Sequence, residues 1–185
     1  MPRLHAIVLL TAIGVASALV LEARPGDAFA IPRRRHITVL VGNSVDLGER
    51  QSFSENYLIG TQVTIERPCD LRKFGELAIN GGSSAIFALY TDEGGAPKDE
   101  VAASRAALLT PGRNEIEVSP VHLLPGTYWL MKDYDKETDI AGDTSWTTPV
   151  RYISLPFGDP LPATFPPDSS SYGGAKWNEY LVVME

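Results

Sequence analysis

The sequence is poor in the residues that carry nucleophilic and metal chemistry, with one cysteine and three histidines among 185 residues. The single cysteine, Cys69, excludes an intramolecular disulfide, and we interpret it as a small buried apolar residue. Serine or cysteine catalysis needs a neighbouring base, and zinc needs several nitrogen or sulfur ligands. Neither a G-x-S-x-G elbow nor an H-E-x-x-H motif occurs in the sequence. We therefore predict no catalytic residue.

Basic charge is also scarce, because 16 lysines and arginines face 23 aspartates and glutamates, a net charge of -7. An acidic surface of this kind repels phosphate backbones. The only basic cluster is the run of arginines at 33–35, which we interpret as a solvated leader. No nucleic-acid partner is expected.

Long hydrophobic runs are absent except at the N-terminus, where residues 6–21 are uncharged. Arg3 and His5 precede this run, and the small residues Ala28 and Ala30 follow it. A charged start, an apolar middle and a small-residue end are typical of a secretory signal peptide, here cleaved after Ala30. A retained membrane anchor is the alternative, but a run of about sixteen residues is shorter than the roughly 20 that span a bilayer.

Three segments follow from this interpretation. Residues 1–30 are predicted to be the signal peptide, residues 31–56 a leader whose attachment the sequence leaves open, and residues 57–185 a single β-domain. The predicted location is periplasmic or extracellular. Contact with a membrane is expected only through an uncleaved signal.

Short stretches of alternating apolar and polar residues recur along the rest of the chain. Ile116 and Val118 alternate with Glu115 and Glu117, as in a half-buried strand. One strand is predicted at 37–41 within the leader. In the β-domain, strands are predicted at 57–66, 71–79, 86–90, 107–110, 114–119, 127–132, 150–155 and 177–184, with a proline-rich extended connection at 156–167. The sequence therefore predicts an all-β fold, a two-sheet antiparallel β-sandwich of the jelly-roll type with seven or eight strands.

An acidic stretch follows the strand predicted at 127–132, and we interpret it as a loop. Its candidate metal ligands are Asp133, Asp135, Asp139 and Asp143. Carboxylates gathered on a turn suit calcium, although no glycine stands where the EF-hand pattern requires it. Two further interpretations stay open: these carboxylates are simply solvated, or they serve as the acid and base of a glycan-active hydrolase.

Aromatic residues form the second candidate site. Tyr134 and Trp146 bracket the acidic stretch, and Tyr172 and Trp177 flank a pair of glycines near the C-terminus. Sugar rings stack on flat aromatic faces while their hydroxyls bond to neighbouring polar groups. These four residues are the predicted ligand-binding residues.

Two runs of sequence resemble a known type of module. KFGELAINGGSSAIFALYTDEGGAP and LLTPGRNEIEVSPVHLLPGTYWLMKDYD resemble jelly-roll modules of exported bacterial proteins. The resemblance is carried by turn and core residues: Tyr90, Asp92, Gly95, Pro97, Asn114, Gly126, Tyr128 and Trp129. It implies a β-sandwich with a carbohydrate-binding or surface-attachment role, and it transfers no catalytic residue.

Three functions follow as hypotheses. The preferred one is a secreted, non-enzymatic binding module for glycan or a cell-surface polymer, with calcium as a candidate cofactor. The second is an assembly subunit of an extracellular coat or filament, in which residues 37–41 add to a neighbour's sheet and form a homo-oligomer. The third is a glycan-active hydrolase that uses Asp135 and Asp139.

Overall fold

The computed structural model describes residues 37–143, 145, 148–174 and 176–185. Fourteen strands lie in these residues: β1 (Thr38–Gly42), β2 (Glu49–Phe53), β3 (Tyr57–Ile65), β4 (Cys69–Ala78), β5 (Ser84–Glu93), β6 (Ala96–Ala103), β7 (Ala107–Leu108), β8 (Gly112–Leu123), β9 (Gly126–Tyr134), β10 (Thr138–Asp143), β11 (Pro149–Ser154), β12 (Ser170–Gly173), β13 (Lys176–Trp177) and β14 (Glu179–Met184). Over the same residues there is no helix with the length and apolar character needed to cross a membrane.

The strands form two antiparallel sheets of seven strands each. Sheet A has the order β1-β14-β4-β10-β13, with β2 beside β10 and β8 beside β4. Sheet B has the order β12-β11-β3-β9-β5-β6, with β7 beside β5. The predicted all-β, two-sheet antiparallel sandwich is confirmed, although the number of strands exceeds the predicted seven or eight.

The main core lies between the two sheets. Phe74 of sheet A stacks on Phe87 of sheet B with ring centroids 5.9 Å apart, and neither side chain is exposed. Cys69 belongs to this core at 4% exposure, as the sequence analysis predicts. Close packing of this kind holds the sheets together without a disulfide.

A second cluster covers the outer face of sheet B. Leu58, Tyr90 and Trp129 point away from sheet A and pack under Phe165, which lies in the proline-rich segment. The Tyr90 hydroxyl donates a hydrogen bond to the Pro162 carbonyl at 3.0 Å. The predicted extended connection is therefore a cover for sheet B rather than a free linker.

The turn between β5 and β6 is hydrogen-bonded to Trp129, a residue of the second cluster. Gly94 and Gly95 have φ angles of 64° and 82°, a backbone conformation that favours glycine. Asp92 accepts hydrogen bonds from Trp129 Nε1 at 2.7 Å and from Gln62 Nε2 at 2.9 Å. One carboxylate thus ties the turn to strands β9 and β3.

Several segments differ from their predicted structure. The acidic stretch is not a loop, because β9 continues to Tyr134 and β10 begins at Thr138. The strands β2, β6, β10 and β12 fall outside the predicted set. The segment 37–56, whose attachment the sequence leaves open, contributes β1 to a pairing with β14 and β2 to a pairing with β10.

The predicted signal peptide at 1–30 and the arginine run at 33–35 lie outside the described residues.

Candidate functional site

A groove lined by aromatic side chains opens between the two sheets. Strands β2 and β13 of sheet A form one side, and strands β3, β11 and β12 of sheet B form the other. We call it the tyrosine groove and define it by Tyr57, Tyr152, Tyr172, Phe53 and Trp177. Its volume is about 280 Å³, near the lower end of the range for small-molecule sites.

The three tyrosines form a diagonal row across neighbouring strands of sheet B. Tyr152 pairs with Ile59 on one side and with Ser170 on the other, which places Tyr57 and Tyr172 two residues along from those partners. The ring centroids of Tyr57 and Tyr152 are 6.0 Å apart, and those of Tyr152 and Tyr172 are also 6.0 Å apart. Diagonal neighbours on one sheet face are within reach of each other when the side chains are aromatic.

The outer two rings of this row remain accessible. Tyr57 is 39% exposed and Tyr172 is 45% exposed, whereas Tyr152 between them is half-buried. Burial, together with the neighbouring Tyr152, raises the pKa of Tyr172 above its ordinary value of 10.0. Its hydroxyl therefore stays protonated at neutral pH and is able to donate a hydrogen bond to a ligand.

Polar side chains border the tyrosine row on both sides. Gln51, Ser52 and Ser54 line the groove itself. A second hollow of about 390 Å³ shares Tyr57 and Tyr152 with the groove, and Asp168, Ser169 and Ser170 line it. The row is thus a ridge of rings between two polar hollows, long enough to contact more than one unit of an extended ligand.

The floor of the groove is apolar and closely packed. Phe53 and Trp177 pack edge to face with ring centroids 4.8 Å apart, at 5% and 1% exposure. Ile59, at 9% exposure, completes the floor. The indole Nε1 of Trp177 has no hydrogen-bond partner within the described part of the chain.

A charged cluster is buried beneath this floor. The Lys132 amino group lies 4.5 Å from the Phe53 ring centroid and 4.3 Å from that of Trp177. It also lies 2.9 Å from Glu179 Oε2 and 3.6 Å from Glu76 Oε2. We call Lys132, Glu76, Glu179 and their hydrogen-bond donors Tyr134 and Thr61 the buried lysine cluster.

Each glutamate of the cluster is held by one hydroxyl. Tyr134 Oη donates to Glu76 Oε2 at 2.6 Å, and Thr61 Oγ1 donates to Glu179 Oε1 at 2.5 Å. Burial raises the pKa of Glu76 above its ordinary value, while the nearby Lys132 charge and the Tyr134 hydroxyl lower it to a smaller extent. Tyr134 in turn has a pKa well above 10.0 because it is buried and faces Glu76.

The four predicted ligand-binding residues lie in different surroundings or outside the described part of the chain. Tyr172 and Trp177 come together in the tyrosine groove, but only Tyr172 is accessible, because Trp177 is 1% exposed and lies in the floor. The prediction that Tyr134 contacts a ligand is corrected by the structure, because Tyr134 is fully buried and bonded to Glu76, so its ring is not accessible to a ligand. Trp146 lies outside the described residues.

The predicted calcium ligands are dispersed over two strands and a turn. Asp133 is the penultimate residue of β9 at 1% exposure, Asp135 accepts the Ser84 N–H at 2.7 Å, and Asp143 accepts the Ser145 N–H at 2.8 Å. No group of three or more histidine, cysteine, aspartate or glutamate side chains in the described ranges is arranged to hold a metal ion.

Asp139 is engaged in structural contacts. It forms an ion pair with Arg50 and accepts hydrogen bonds from Ser52 Oγ at 2.5 Å and Asn80 Nδ2 at 3.0 Å. These contacts tie β10 to β2 and to the turn after β4. They give no support to Asp139 as a metal ligand or as the acid or base of a hydrolase.

The sequence analysis did not identify Tyr57, Tyr152 and Phe53 as site residues. They belong to strands that are distant in the sequence and become neighbours through the pairing of β11 with β3 and β12 and through β2 on the opposite sheet. One signal is visible in the sequence: an aromatic residue on the inward face at the end of a strand, as Tyr57 is in β3.

Comparison with known proteins gives no match, since neither a family model, nor a curated protein, nor a solved structure is significantly similar to the chain. The expected resemblance to jelly-roll modules therefore extends only to the two-sheet sandwich.

Proposed function

We propose that the protein is a secreted, non-enzymatic binding module that recognises a glycan or a related cell-surface polymer through the tyrosine groove. The observation that carries the proposal is the row of Tyr57, Tyr152 and Tyr172. The centroids of neighbouring rings in this row are 6.0 Å apart, and the row forms an accessible ridge. Aromatic faces with hydroxyl and amide groups beside them match the apolar and polar sides of a sugar ring.

The shape of the site favours a polymer over a compact small molecule. The groove is about 280 Å³ and the adjoining hollow about 390 Å³, and both are open to solvent along the tyrosine ridge. A chain of sugars lying across the ridge would place successive rings in the two hollows. Gln51 and Ser54 on one side and Asp168 and Ser170 on the other supply hydrogen-bond partners.

Retention on polysaccharides tests the proposal. The purified protein is passed over a panel of insoluble and immobilised glycans, with calcium and with a chelator, because calcium is a candidate cofactor. Tyr172→Ala should weaken binding about tenfold or more, the cost of removing one accessible aromatic contact. Tyr172→Phe keeps the ring and should bind within about threefold of the wild type, since one exposed hydrogen bond contributes little.

Leu124→Ala is the control variant, because Leu124 is 62% exposed and lies outside the groove. It should bind as the wild type does. If Tyr172→Ala is retained on every glycan as well as the wild type, or if the wild type binds none of the panel, the proposed function is wrong.

One observation favours assembly as a second candidate function. Strand β1 stands at the end of the strand order of sheet A and pairs along its whole length with β14, and no other described strand pairs with its second edge. Ile37 is 62% exposed and Leu40 is 39% exposed on this edge. An open edge with apolar side chains is suited to pairing with a strand of another copy.

Sedimentation of the wild type and of Leu40→Lys tests the assembly candidate. A lysine on an edge strand opposes edge-to-edge pairing, so oligomers of the wild type should become monomers. A wild type that is monomeric at high concentration excludes this second function.

A further inference from the structure

The buried lysine cluster joins the two sheets at a point where no disulfide is available. Lys132 comes from β9 of sheet B, whereas Glu179 and Glu76 are directly paired residues of β14 and β4 in sheet A. The exposures are 0% for Lys132 and Glu76 and 4% for Glu179. Three ionisable side chains therefore meet in the interior, shielded from solvent by the rings of Phe53 and Trp177.

Lys132 forms ion pairs with both glutamates, but these contacts leave polar atoms of the cluster without a well-aligned hydrogen bond. Burying charges is costly unless hydrogen bonds satisfy every polar atom. Here Lys132 Nζ, Glu76 Oε1 and Glu179 Oε2 have no hydrogen bond of acceptable geometry from any described residue, although Nζ is 2.9 Å from Glu179 Oε2. At 2.9 Å the amino group and the Glu179 carboxylate form an ion pair, and Glu76 Oε1 is left without a hydrogen-bond donor among the described residues.

We infer that Lys132 and Glu179 condense to form an intramolecular amide bond between the two sheets, with Glu76 as the residue that transfers protons. Lys132 Nζ lies 2.9 Å from Glu179 Oε2, so the amino group is already in contact with the carboxyl group that would acylate it. Glu179 is assigned over Glu76 as the acyl group because Glu76 Oε2 is farther away, at 3.6 Å.

The reaction balances without any further reactant. One proton of the Lys132 ammonium passes through Glu76 to Oε2 of Glu179, and the lone pair of the neutral Nζ then attacks Cδ of the neutral carboxyl group. The Thr61 hydroxyl, 2.5 Å from Glu179 Oε1, donates to the oxyanion that develops on that atom. A second proton passes from Nζ through Glu76 to Oε2, the bond from Cδ to Oε2 breaks, and Oε2 leaves as one water molecule that carries two of the three ammonium protons.

The surroundings of the cluster suit both the proton transfer and the loss of water. Glu76 is held beside Lys132 by the Tyr134 hydroxyl at 2.6 Å, and burial raises its pKa, so it readily takes up a proton. A separate cleft of about 290 Å³ is lined by Thr61 and Glu179 and gives the water a way out. An amide in place of an ion pair also removes the cost of the buried charges.

Intact-mass spectrometry of the folded wild-type chain tests this inference. The N-terminal residue is first determined, so that the expected mass is known. We expect a mass lower than the sequence mass by one water molecule, and after proteolysis a linked pair of peptides that contains Lys132 and Glu179 and persists under reducing conditions.

Two variants separate the chemistry from the packing. Lys132→Met lacks the amine and should have its full sequence mass. Glu76→Gln keeps the shape of the cluster but cannot accept the proton, so it should also keep its full mass or lose water far more slowly. A folded wild type that stays at full mass after prolonged incubation overturns the inference, as does a linkage from Lys132 to Glu76 or to any other residue. The outcome is independent of glycan binding, because no groove residue takes part in the bond.

Discussion

Replacing the buried Asp133 by asparagine should stabilise the protein at neutral pH. Asp133 is the penultimate residue of β9 and is only 1% exposed. Burial raises its pKa from the ordinary 3.8 to about 6, although backbone N–H groups of Tyr134 and Tyr57 oppose this shift in part. The folded protein therefore prefers the neutral carboxyl, whereas neutral pH imposes the charged form.

The sign and the magnitude follow from the two pKa values of Asp133. Because the folded-state pKa is the higher one, the folded protein binds more protons than the unfolded chain between about pH 4 and 6. The contribution of Asp133 to the free energy of unfolding is therefore highest below this window and is lost as the pH rises through it. The difference between 3.8 and about 6 corresponds to roughly 3 kcal/mol at 1.36 kcal/mol per pH unit.

Urea denaturation of the wild type and Asp133→Asn at a series of pH values from 4 to 8 measures this effect. We expect the two proteins to have similar stability near pH 4, and the variant to be more stable by about 1 to 3 kcal/mol above pH 6. Asp159→Asn, at an exposed position, is the control and should follow the wild type throughout. A variant that is less stable at pH 7, or a difference that does not depend on pH, would refute the reasoning.

Three further predictions concern packing. Gly60→Ala should lower the free energy of unfolding by about 1 to 3 kcal/mol, because a Cβ there would lie 2.0 Å from the Leu130 carbonyl oxygen. The control Gly173→Ala, where a Cβ would have no atom within 4 Å, should lower it by less than about 0.5 kcal/mol. Phe165→Ala should cost about 3 to 5 kcal/mol and expose the proline-rich segment to proteases, since the ring seals the second cluster; a resistant segment would contradict this. Cys69, whose pKa is raised chiefly by burial, should react with a thiol reagent only as fast as the protein unfolds, and rapid native labelling would contradict its burial.

The sequence predicts most of the strands that have one buried face. In β8, Asn114, Ile116 and Val118 are more buried than the glutamates between them, so alternation identifies the strand. By contrast, β2 is polar except for Phe53, and β6 begins with alanine and proline and lies at the edge of sheet B. Such strands are held by backbone pairing with neighbours that the local pattern does not reveal.

The acidic stretch illustrates a different limit. Its charges favour a loop in the sequence, but Asp139 forms an ion pair with Arg50 and hydrogen bonds with Ser52 and Asn80. Ser52 is 87 positions and Asn80 is 59 positions away from Asp139 along the chain. Whether a buried carboxylate is tolerated in a strand depends on partners of this kind. Their positions follow from the topology and not from neighbouring residues.

The candidate site was predictable in part. Tyr172 and Trp177 are predicted because they are aromatic residues that flank a pair of glycines, and both line the tyrosine groove. Tyr57 and Tyr152 join them only because β11 lies between β3 and β12. The buried lysine cluster is likewise a product of two sheets meeting, since Lys132 and Glu76 have no local feature that predicts their burial.

Ring chemical shifts of isotope-labelled tyrosines during titration with an oligosaccharide test the central claim most directly. The claim predicts that the signals of Tyr57, Tyr152 and Tyr172 move with one binding curve, while the signals of the buried Tyr90 and Tyr134 stay in place. Saturable binding that shifts other tyrosines and leaves the groove unchanged would contradict it.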